Sequence, residues 1–440
     1  MNTNFNNKIL IISYYWPPSG GVGVQRILKF VKYLPKYGII PEVVTVREDK
    51  ASYPSEDINL FKDVPSEVKV HRTDTKEPFA VYSKLLGKKS IPTGFSNESN
   101  PTSFQKFSRF IRGNLFIPDA RIGWNKYSYS EAKKIIEKEN IKTILTTSPP
   151  HSTQLVGLKL KNEFGKNIKW IADLRDPWTD IHYYKEFRHT LPAKKKDHNY
   201  ERTVLENADR IISVSDEFGK MFASKSDKID PAKIYTITNG FDESDFGMES
   251  NSPENEFVIT VTGTMPENYN PFAFIDVLKE TVDEFPEVKF KLRLVGNAAD
   301  SVTEYIINCG LKENLEIIPT VAHEKAIEYL FNSSALFLVI PQFKNEKGLI
   351  PAKLFEYLAS RKPVICLGPL DCEAAKIIDK CGAGKTFNRD MNNQLFEYMK
   401  ELVLKWKADK NIDVENKLLN TYTRYYQAGQ LAGIIKDLEK

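Results

Sequence analysis

The strongest constraint on the fold is the alternation of short apolar runs with amphipathic stretches along nearly the whole chain. This alternation is typical of βαβ units on a parallel sheet. The predicted strands of the first half are Lys8–Ser13, Pro41–Val46, Ile141–Thr147, Lys169–Leu174, Arg210–Val214 and Lys233–Thr238. Those of the second half are Phe257–Thr262, Lys291–Val295, Leu315–Ile318, Ala335–Ile340 and Pro363–Leu367. We therefore expect an α/β protein.

A polar, acidic stretch, Glu243–Glu256, interrupts the alternation and marks a domain boundary. The prediction is an N-terminal domain over 1–250 and a C-terminal domain over 251–415. Residues 416–440 are predicted to form a helix that packs back on the first domain. Open parallel sheets bind ligands outside the carboxyl ends of their strands, so the predicted site is a cleft where these ends face each other.

Composition excludes several classes of protein. The 440 residues hold 62 Lys and Arg against 58 Asp and Glu, a net charge of +4, which does not suggest a nucleic-acid partner. The four cysteines lack zinc-site spacing, so no metal is predicted and reduced thiols are expected. The N-terminal apolar run stops at Tyr14, which is too short for a signal peptide. We expect a cytoplasmic protein.

A glycine-rich turn follows the first predicted strand and opens a predicted helix, Val22–Tyr37. Gly20 and Gly21 would let the backbone approach a ligand, and a helix start favours phosphate. As a dinucleotide fingerprint the turn fails, because Arg26 stands where the third glycine is needed. A turn without any ligand is the alternative.

Two more segments are predicted at the same sheet edge. His151 follows a strand end and two prolines, where it would donate a hydrogen bond to a sugar hydroxyl or a phosphate. Asp173, Arg175 and Asp176 end the next strand beside Trp178, and such charges are costly there unless they pair with each other or with a ligand. The alternatives are a surface histidine at a helix start and a self-contained ion-pair corner.

A further motif lies in the predicted second domain. Lys353 and Glu356 are three residues apart near the start of a predicted helix that follows Pro351, so they share one face. A lysine directed at phosphate and a glutamate directed at a ribose diol would hold a nucleotide. The alternative is an ion pair on a solvated helix.

Five segments, taken together, resemble a known family. In chain order they are GGVGVQRILKFVKYLPKYG, SPPHSTQLVGLKLK, ADLRDPW, TNGFD and IPAKLFEYLASRKPVICLGP. They resemble glycosyltransferase family 4, whose GT-B fold has two facing Rossmann-like domains with a cleft between them. The resemblance implies retaining transfer of a sugar from a UDP- or GDP-linked nucleotide sugar to a glycan acceptor. It implies neither a cofactor nor a required metal.

The resemblance also assigns roles to individual residues. Glu356 matches the glutamate that grips the donor ribose, Gly20 and Gly21 match the loop that closes over donor phosphate, and His151 lies near the active-site histidine. The catalytic candidates are His151, Asp173, Arg175 and Asp176. The donor-binding candidates are Gly20, Gly21, Arg26, Gly263, Gly296, Val321, Glu346, Gly348, Lys353 and Glu356.

The chain departs from the family pattern at two places. Gly348 stands where the family has the first of two glutamates, which leaves Glu346 as the substitute. The Arg and Lys that many members carry after the first strand of the second domain are absent from the segment at Gly263. Either Lys353 and Arg26 or the helix N-terminal amides alone are then expected to stabilise the departing diphosphate.

Leu85–Arg112 breaks the βαβ rhythm with basic and aromatic residues at helical spacing. It is interpreted either as a peripheral membrane contact, which would suit a lipid-linked or surface-polysaccharide acceptor at the inner face of the membrane, or as a solvated helix pair.

Two other functions share the expected donor site: a GT-B nucleotide-sugar epimerase or hydrolase, and a non-catalytic protein that binds nucleotide sugars.

Overall fold

The computed structural model describes residues 7–77, 103–247, 252–416 and 418–440. The chain divides into two compact units, which we call domain 1 (Met1–Thr238 with Arg424–Lys440) and domain 2 (Asn239–Thr423). The division lies at 238/239, whereas the sequence placed it at 250/251. The return to domain 1 begins at Arg424, eight residues after the predicted start of the last helix.

Domain 1 contains a seven-stranded parallel sheet in the order β3-β2-β1-β4-β5-β6-β7. Its strands are β1 Lys8–Ile12, β2 Ile40–Val46, β3 Lys69–Thr73, β4 Thr143–Ser148, β5 Lys169–Leu174, β6 Arg210–Ser213 and β7 Ile234–Thr236. The central strands are buried on both faces, as parallel sheets require. The strand order reverses between β1 and β4, which pair in the register Ile9 to Thr143.

Helices cover both faces of this sheet. They are α1 Val22–Tyr33, α2 Ser103–Leu115, α3 Asn125–Glu139, α4 Ser152–Phe164, α5 Leu191–Asn207, α6 Asp216–Ala223 and the C-terminal helix, numbered α13, Arg424–Leu438. The predicted helix Val22–Tyr37 appears as α1 continued by a 3-10 turn, and it ends at Gly38, whose φ of 79° favours glycine. The final helix packs on α1 through Ala428, Leu431 and Ile435.

Domain 2 contains a six-stranded parallel sheet in the order β10-β9-β8-β11-β12-β13. Its strands are β8 Phe257–Thr262, β9 Phe290–Val295, β10 Leu315–Ile318, β11 Ala335–Val339, β12 Val364–Leu367 and β13 Gly384–Phe387. Its helices are α7 Phe272–Glu284, α8 Asp300–Asn308, α9 His323–Phe331, α10 Lys353–Ser360, α11 Glu373–Cys381 and α12 Asn392–Ala408. Separate apolar cores lie on the two faces of the sheet.

The predicted α/β class is therefore confirmed in both domains. The sequence missed β3 and β13, which are edge strands with few fully buried side chains. Of the segment Leu85–Arg112, residues 85–102 lie outside the described part of the chain, and the remainder belongs to α2.

Candidate functional site

Domain 1 brings three predicted segments to one edge of its sheet. β4 lies between β1 and β5, and all three strands are parallel. The segments that follow these strands are therefore neighbours at the carboxyl edge, at the point where the strand order reverses. Open α/β sheets bind their ligands at this position.

Of the two glycines that were predicted to contact a ligand in the turn after β1, Gly20 already forms a backbone hydrogen bond within the protein. The Gly20 N–H donates to the Ser55 carbonyl at 2.9 Å, so this amide is not available to a phosphate. Gly21 is exposed and precedes α1 with a φ of 98°, a value that side chains other than glycine rarely adopt. The structure leaves Gly21 as the exposed glycine of the pair.

Arg26 and Asp173, which were predicted as a donor-binding and a catalytic residue, form a buried ion pair. Both side chains are 0% exposed, and Arg26 Nη2 lies 3.0 Å from Asp173 Oδ1. Arg26 Nη1 also donates to the Thr238 carbonyl at 2.7 Å, and Asp173 Oδ2 accepts from the Thr147 hydroxyl at 2.7 Å. Because buried charges are retained only when paired and hydrogen-bonded, the pair is structural. In this structure both side chains are enclosed, and neither is exposed to a ligand.

Arg175 joins the glycine turn to the loop after β4. It donates to the carbonyls of Ser148 and Pro149 at 2.9 Å and 2.8 Å. Its guanidinium lies against the backbone of Gly23, where any Cβ would overlap it. Burial lowers the pKa of Arg175 and raises the pKa of the neighbouring Asp176, while their attraction opposes both shifts. Arg175 acts here as a positioning group.

His151 stands at the start of α4 and stacks on Trp178, with ring centroids 4.8 Å apart. Burial, followed by the nearby Arg175 guanidinium, lowers the pKa of His151 to about 3. The imidazole is therefore neutral at neutral pH, with one donor and one acceptor nitrogen. Its Nδ1 is buried and has no hydrogen-bond partner among the described residues. The imidazole ring is thus held by stacking on Trp178, and its Nδ1 can still form a hydrogen bond.

A cavity of about 360 Å³ in domain 1 is lined by His151. Its wall combines aromatic, imidazole and charged side chains. These are Tyr15, Arg112, Asp119, Arg121, Trp178, His182, Tyr183, Tyr184, Phe187, His189 and Asp197. A cavity of this size, with few charges and many rings, is typical of a small-molecule site.

The two acidic residues of the cavity, Asp119 and Asp197, accept hydrogen bonds from other residues of its wall. Asp119 accepts from the backbone N–H and the hydroxyl of Ser152 at 2.7 Å and 2.8 Å, which fixes the start of α4. Asp197 accepts from Trp178 Nε1 and the Tyr184 hydroxyl, each at 2.9 Å. Burial raises the pKa of Asp197 to about 6. Asp197 therefore orients the indole on which His151 stacks.

The two guanidiniums give the cavity its positive charge. Arg121 donates to the Ser52 carbonyl at 2.7 Å and lies 3.6 Å from Glu77, and Arg112 lies over the ring of Phe187 at 5.5 Å. Burial, and next the repulsion from Arg121, lower the pKa of Arg112. An anionic ligand would relieve this repulsion.

Sequence reasoning missed most of this wall. One signal was present: residues 178–189 contain Trp178, His182, Tyr183, Tyr184, Phe187 and His189. Tyr15 follows β1, whereas Arg112 and Arg121 lie nine residues apart after the gap between β3 and α2, and only the fold brings these two parts of the chain to residues 178–189.

In domain 2, Gly263, Gly296 and Lys353 meet at the carboxyl edge of the sheet. Gly263 follows β8 with a φ of 83° and Gly296 follows β9 with a φ of 126°. A Cβ on Gly296 would overlap the Gly263 carbonyl, and a Cβ on Gly263 would lie 3.7 Å from Lys353 Nζ. Their N–H groups donate to Val295 and Ile318 at 2.8 Å. The glycines thus provide space, and Lys353 provides the charge.

The Lys353 ammonium forms no ion pair within the described residues. Burial lowers its pKa to about 8, and Glu356 on the next turn opposes this shift. The Tyr357 hydroxyl accepts from the Thr262 N–H at 3.0 Å, which ties α10 to the end of β8. The helix that carries Lys353 and Glu356 is therefore held in register with the glycines.

Glu356 is partly exposed and has a neighbour that the sequence did not indicate. His323, at the start of α9, places Nδ1 3.8 Å from Glu356 and Nε2 3.8 Å from Asp245. Val321 lies in the loop two residues before His323. His323 stands in a polar run, so no sequence signal distinguished it.

The remaining donor-binding candidates lie in a 3-10 turn, Glu346–Gly348. Glu346 Oε2 accepts from the Phe343 N–H at 3.3 Å, and Gly348 is buried at the end of the turn. Both precede α10 along the chain.

Within the part of the chain that the structure describes, no three His, Cys, Asp or Glu side chains are grouped so as to hold a metal ion.

No helix among the described residues combines the length and the apolar character needed to cross a bilayer.

Comparisons with known proteins agree with this topology. Residues 93–245 match the family model described as Glycosyltransferase Family 4. The curated proteins include no match to this sequence. A glycosyltransferase structure from Rickettsia africae is 16% identical, with a TM-score of 0.60 and 98% of each chain covered.

Two other solved structures are similar over nearly their whole length. Sucrose-phosphate synthase from Thermosynechococcus elongatus is 14% identical with a TM-score of 0.59, and 98% of each chain is covered. The lipopolysaccharide outer core galactosyltransferase WaaB, in its apo form, is 12% identical with a TM-score of 0.59, covering 98% of this chain and 99% of that one. At these identities the likeness shows a shared fold.

Proposed function

Since the chain has the GT-B fold and residues 93–245 match glycosyltransferase family 4, we propose that it transfers a sugar from a nucleotide-diphosphate sugar to a glycan acceptor. The observation that carries the proposal is the placement of the Lys353 ammonium over Gly263, with Glu356 one helical turn further on. The Lys353 ammonium beside a glycine without a side chain suits a diphosphate, and the Glu356 carboxylate one turn away suits the ribose that is joined to it.

Domain 2 is the proposed donor site. Lys353 would pair with the diphosphate, for which the glycines leave room, and the start of α10 would add its dipole. The Glu356 carboxylate would accept hydrogen bonds from the two ribose hydroxyls, with His323 beside it. No glutamate stands at 348, so Glu346 is the proposed partner of the donor sugar.

The proposed reaction retains the anomeric configuration. The bond between the sugar C1 and the diphosphate oxygen breaks, the acceptor oxygen bonds to C1 on the same face, and the acceptor proton passes to the departing phosphate. Negative charge grows on the leaving group, so Lys353 stabilises the transition state more than the bound donor. The step uses neither a metal nor a cofactor.

The cavity of domain 1 is the proposed acceptor site. The neutral His151 can donate or accept a hydrogen bond there, and Arg112 and Arg121 favour an acceptor that carries hydroxyl or anionic groups. The aromatic wall suits the apolar faces of sugar rings.

The test of this proposal is donor turnover. The protein is incubated with a panel of UDP- and GDP-sugars, and the released sugar is followed by NMR before the anomers equilibrate. We expect slow hydrolysis of one donor with retained configuration, unchanged by EDTA. Glu356→Gln should lower kcat/KM by about tenfold to a hundredfold, because it replaces the charged acceptor of the two ribose hydroxyls with a neutral, weaker one.

The matched control is Glu397→Gln, an exposed glutamate on α12, which should leave turnover unchanged. Two other results would point to the other functions. A new sugar epimer on the nucleotide would indicate an epimerase, and tight binding of a donor without any turnover would indicate a binding protein. Equal turnover by Glu356→Gln and the native chain would refute the donor site.

A further inference from the structure

Domain 1 exposes four large apolar side chains on two adjacent helices. Leu115, at the end of α2, is 70% exposed, and Leu191, at the start of α5, is 84% exposed. Phe107 and Phe110, on α2, are 60% and 39% exposed. Single exposed apolar residues are ordinary, but a contiguous group of them marks an interaction site.

Hydrogen bonds show that the ends of the two helices are contiguous. Asn114 Oδ1 accepts from the Thr190 N–H at 2.6 Å, and Asn114 Nδ2 donates to the Arg188 carbonyl at 3.3 Å. Leu115 directly follows Asn114 in the sequence, and Leu191 directly follows Thr190. The two leucines therefore start from neighbouring points of the backbone, and both side chains are exposed.

The same surface carries lysines. Lys194, Lys195 and Lys196 are all exposed on the first turns of α5, and Lys106 and Arg188 are exposed nearby. Of the acids close by, Glu186 faces Arg109 at 3.3 Å, and Asp197 is buried against Trp178 and Tyr184. Within the described residues the exposed side is thus predominantly basic.

We propose that this surface, formed by Phe107, Phe110, Leu115, Leu191 and Lys194–Lys196 and called here the α2–α5 surface, docks domain 1 onto an anionic lipid membrane. Lysines attract the headgroups, and the leucine and phenylalanine side chains enter the interface. A nucleic acid would match the lysines but would leave the exposed aliphatic side chains in water. Exposed lysines together with exposed aliphatic side chains therefore favour a lipid membrane over a nucleic acid as the partner.

The α2–α5 surface adjoins the cavity of domain 1. Gly113 of α2 packs against Phe187 and His189, where an added Cβ would lie 2.7 Å from the Phe187 Cβ, and both of these residues line the cavity. If the cavity binds the acceptor, which rests on the proposed function, docking would present it to an acceptor held in the membrane. The acceptor class that fits is a lipid-linked glycan.

The experiment is sedimentation of the full chain with vesicles at low salt. One set contains phosphatidylcholine alone, and the other contains equal amounts of phosphatidylcholine and phosphatidylglycerol. We expect binding to the anionic vesicles only, which weakens as salt is added. Reversal of the three charges at Lys194–Lys196 to Glu should weaken binding by at least about a hundredfold, and Leu115→Ser with Leu191→Ser should also weaken it.

The control reverses Lys134, Lys138 and Lys166 to Glu, which are exposed near the C-terminal ends of α3 and α4. It makes the same change in net charge and should bind like the native chain. The inference is overturned if native protein ignores anionic vesicles, if both triple variants lose binding equally, or if single-stranded RNA binds and the vesicles do not. Donor hydrolysis in the same variants should stay unchanged, so failure of docking is distinct from failure of the proposed function.

Discussion

Two side chains, Lys353 and His151, define the chemistry of the candidate sites, and burial lowers the pKa of both. For His151 the result is a ring that stays neutral across the physiological range. For Lys353 the result is an ammonium that loses its proton only a little above neutral pH, in a place where an anion would restore the charged form.

The pKa of Lys353 predicts how nucleotide binding depends on pH. Its value in the free protein is lowered to about 8 from 10.5, so the ammonium is present below pH 8 and is lost as pH rises through 8. We expect the affinity for UDP or GDP to be constant near neutral pH and then to fall by up to about tenfold per pH unit. Titration calorimetry over a pH series measures this.

An affinity that stays constant up to a pH of about 10, where an ordinary lysine is still charged, would contradict the coupling of phosphate binding to a lowered pKa of Lys353.

At the scale of elements, the buried pair of Arg26 and Asp173 connects α1 to β5 and, through Thr238, to the end of domain 1. Removing one charge of a buried pair leaves the other without compensation. The pair therefore fixes the carboxyl edge of the sheet, from which His151 and the cavity are built.

We predict that Arg26→Met lowers the free energy of unfolding by about 3–5 kcal/mol, because Asp173 is left charged in the core. Arg47→Met, which removes the exposed pair of Arg47 with Asp49, should cost less than about 1 kcal/mol. Urea denaturation of both variants measures the difference. Equal effects would mean that the buried pair has no greater structural role than a surface pair.

The central strands could be predicted from the sequence, because burial on both faces makes them continuous apolar runs. Lys169–Leu174 and Phe257–Thr262 were predicted with their observed bounds. The edge strand Lys69–Thr73 contains one apolar residue, Val70, and therefore lacks this signal.

The candidate site was predictable only where its residues are close in sequence. Lys353 and Glu356 belong to one helix, and their spacing alone indicates a shared face. Arg26 looked like a phosphate ligand because its partner, Asp173, is 147 residues away. Nothing local distinguishes an arginine that points to a ligand from one that points into the core.

At the scale of the whole molecule, the net charge of +4 conceals an uneven distribution. Domain 1 carries the exposed lysines beside Leu191, and domain 2 carries the Lys353 ammonium beside Gly263 at the carboxyl edge of its sheet. This division matches the proposal of acceptor recognition in one domain and donor recognition in the other.

The most direct test of the donor site is the calorimetric affinity of the full chain for UDP and GDP at neutral pH. We predict that Lys353→Gln weakens binding of the preferred nucleotide by about tenfold to a hundredfold, the equivalent of one charge-assisted contact. Lys312→Gln, at an exposed lysine in the turn before β10, should bind like the native chain. Equal affinity of Lys353→Gln and the native chain would contradict the proposed donor site.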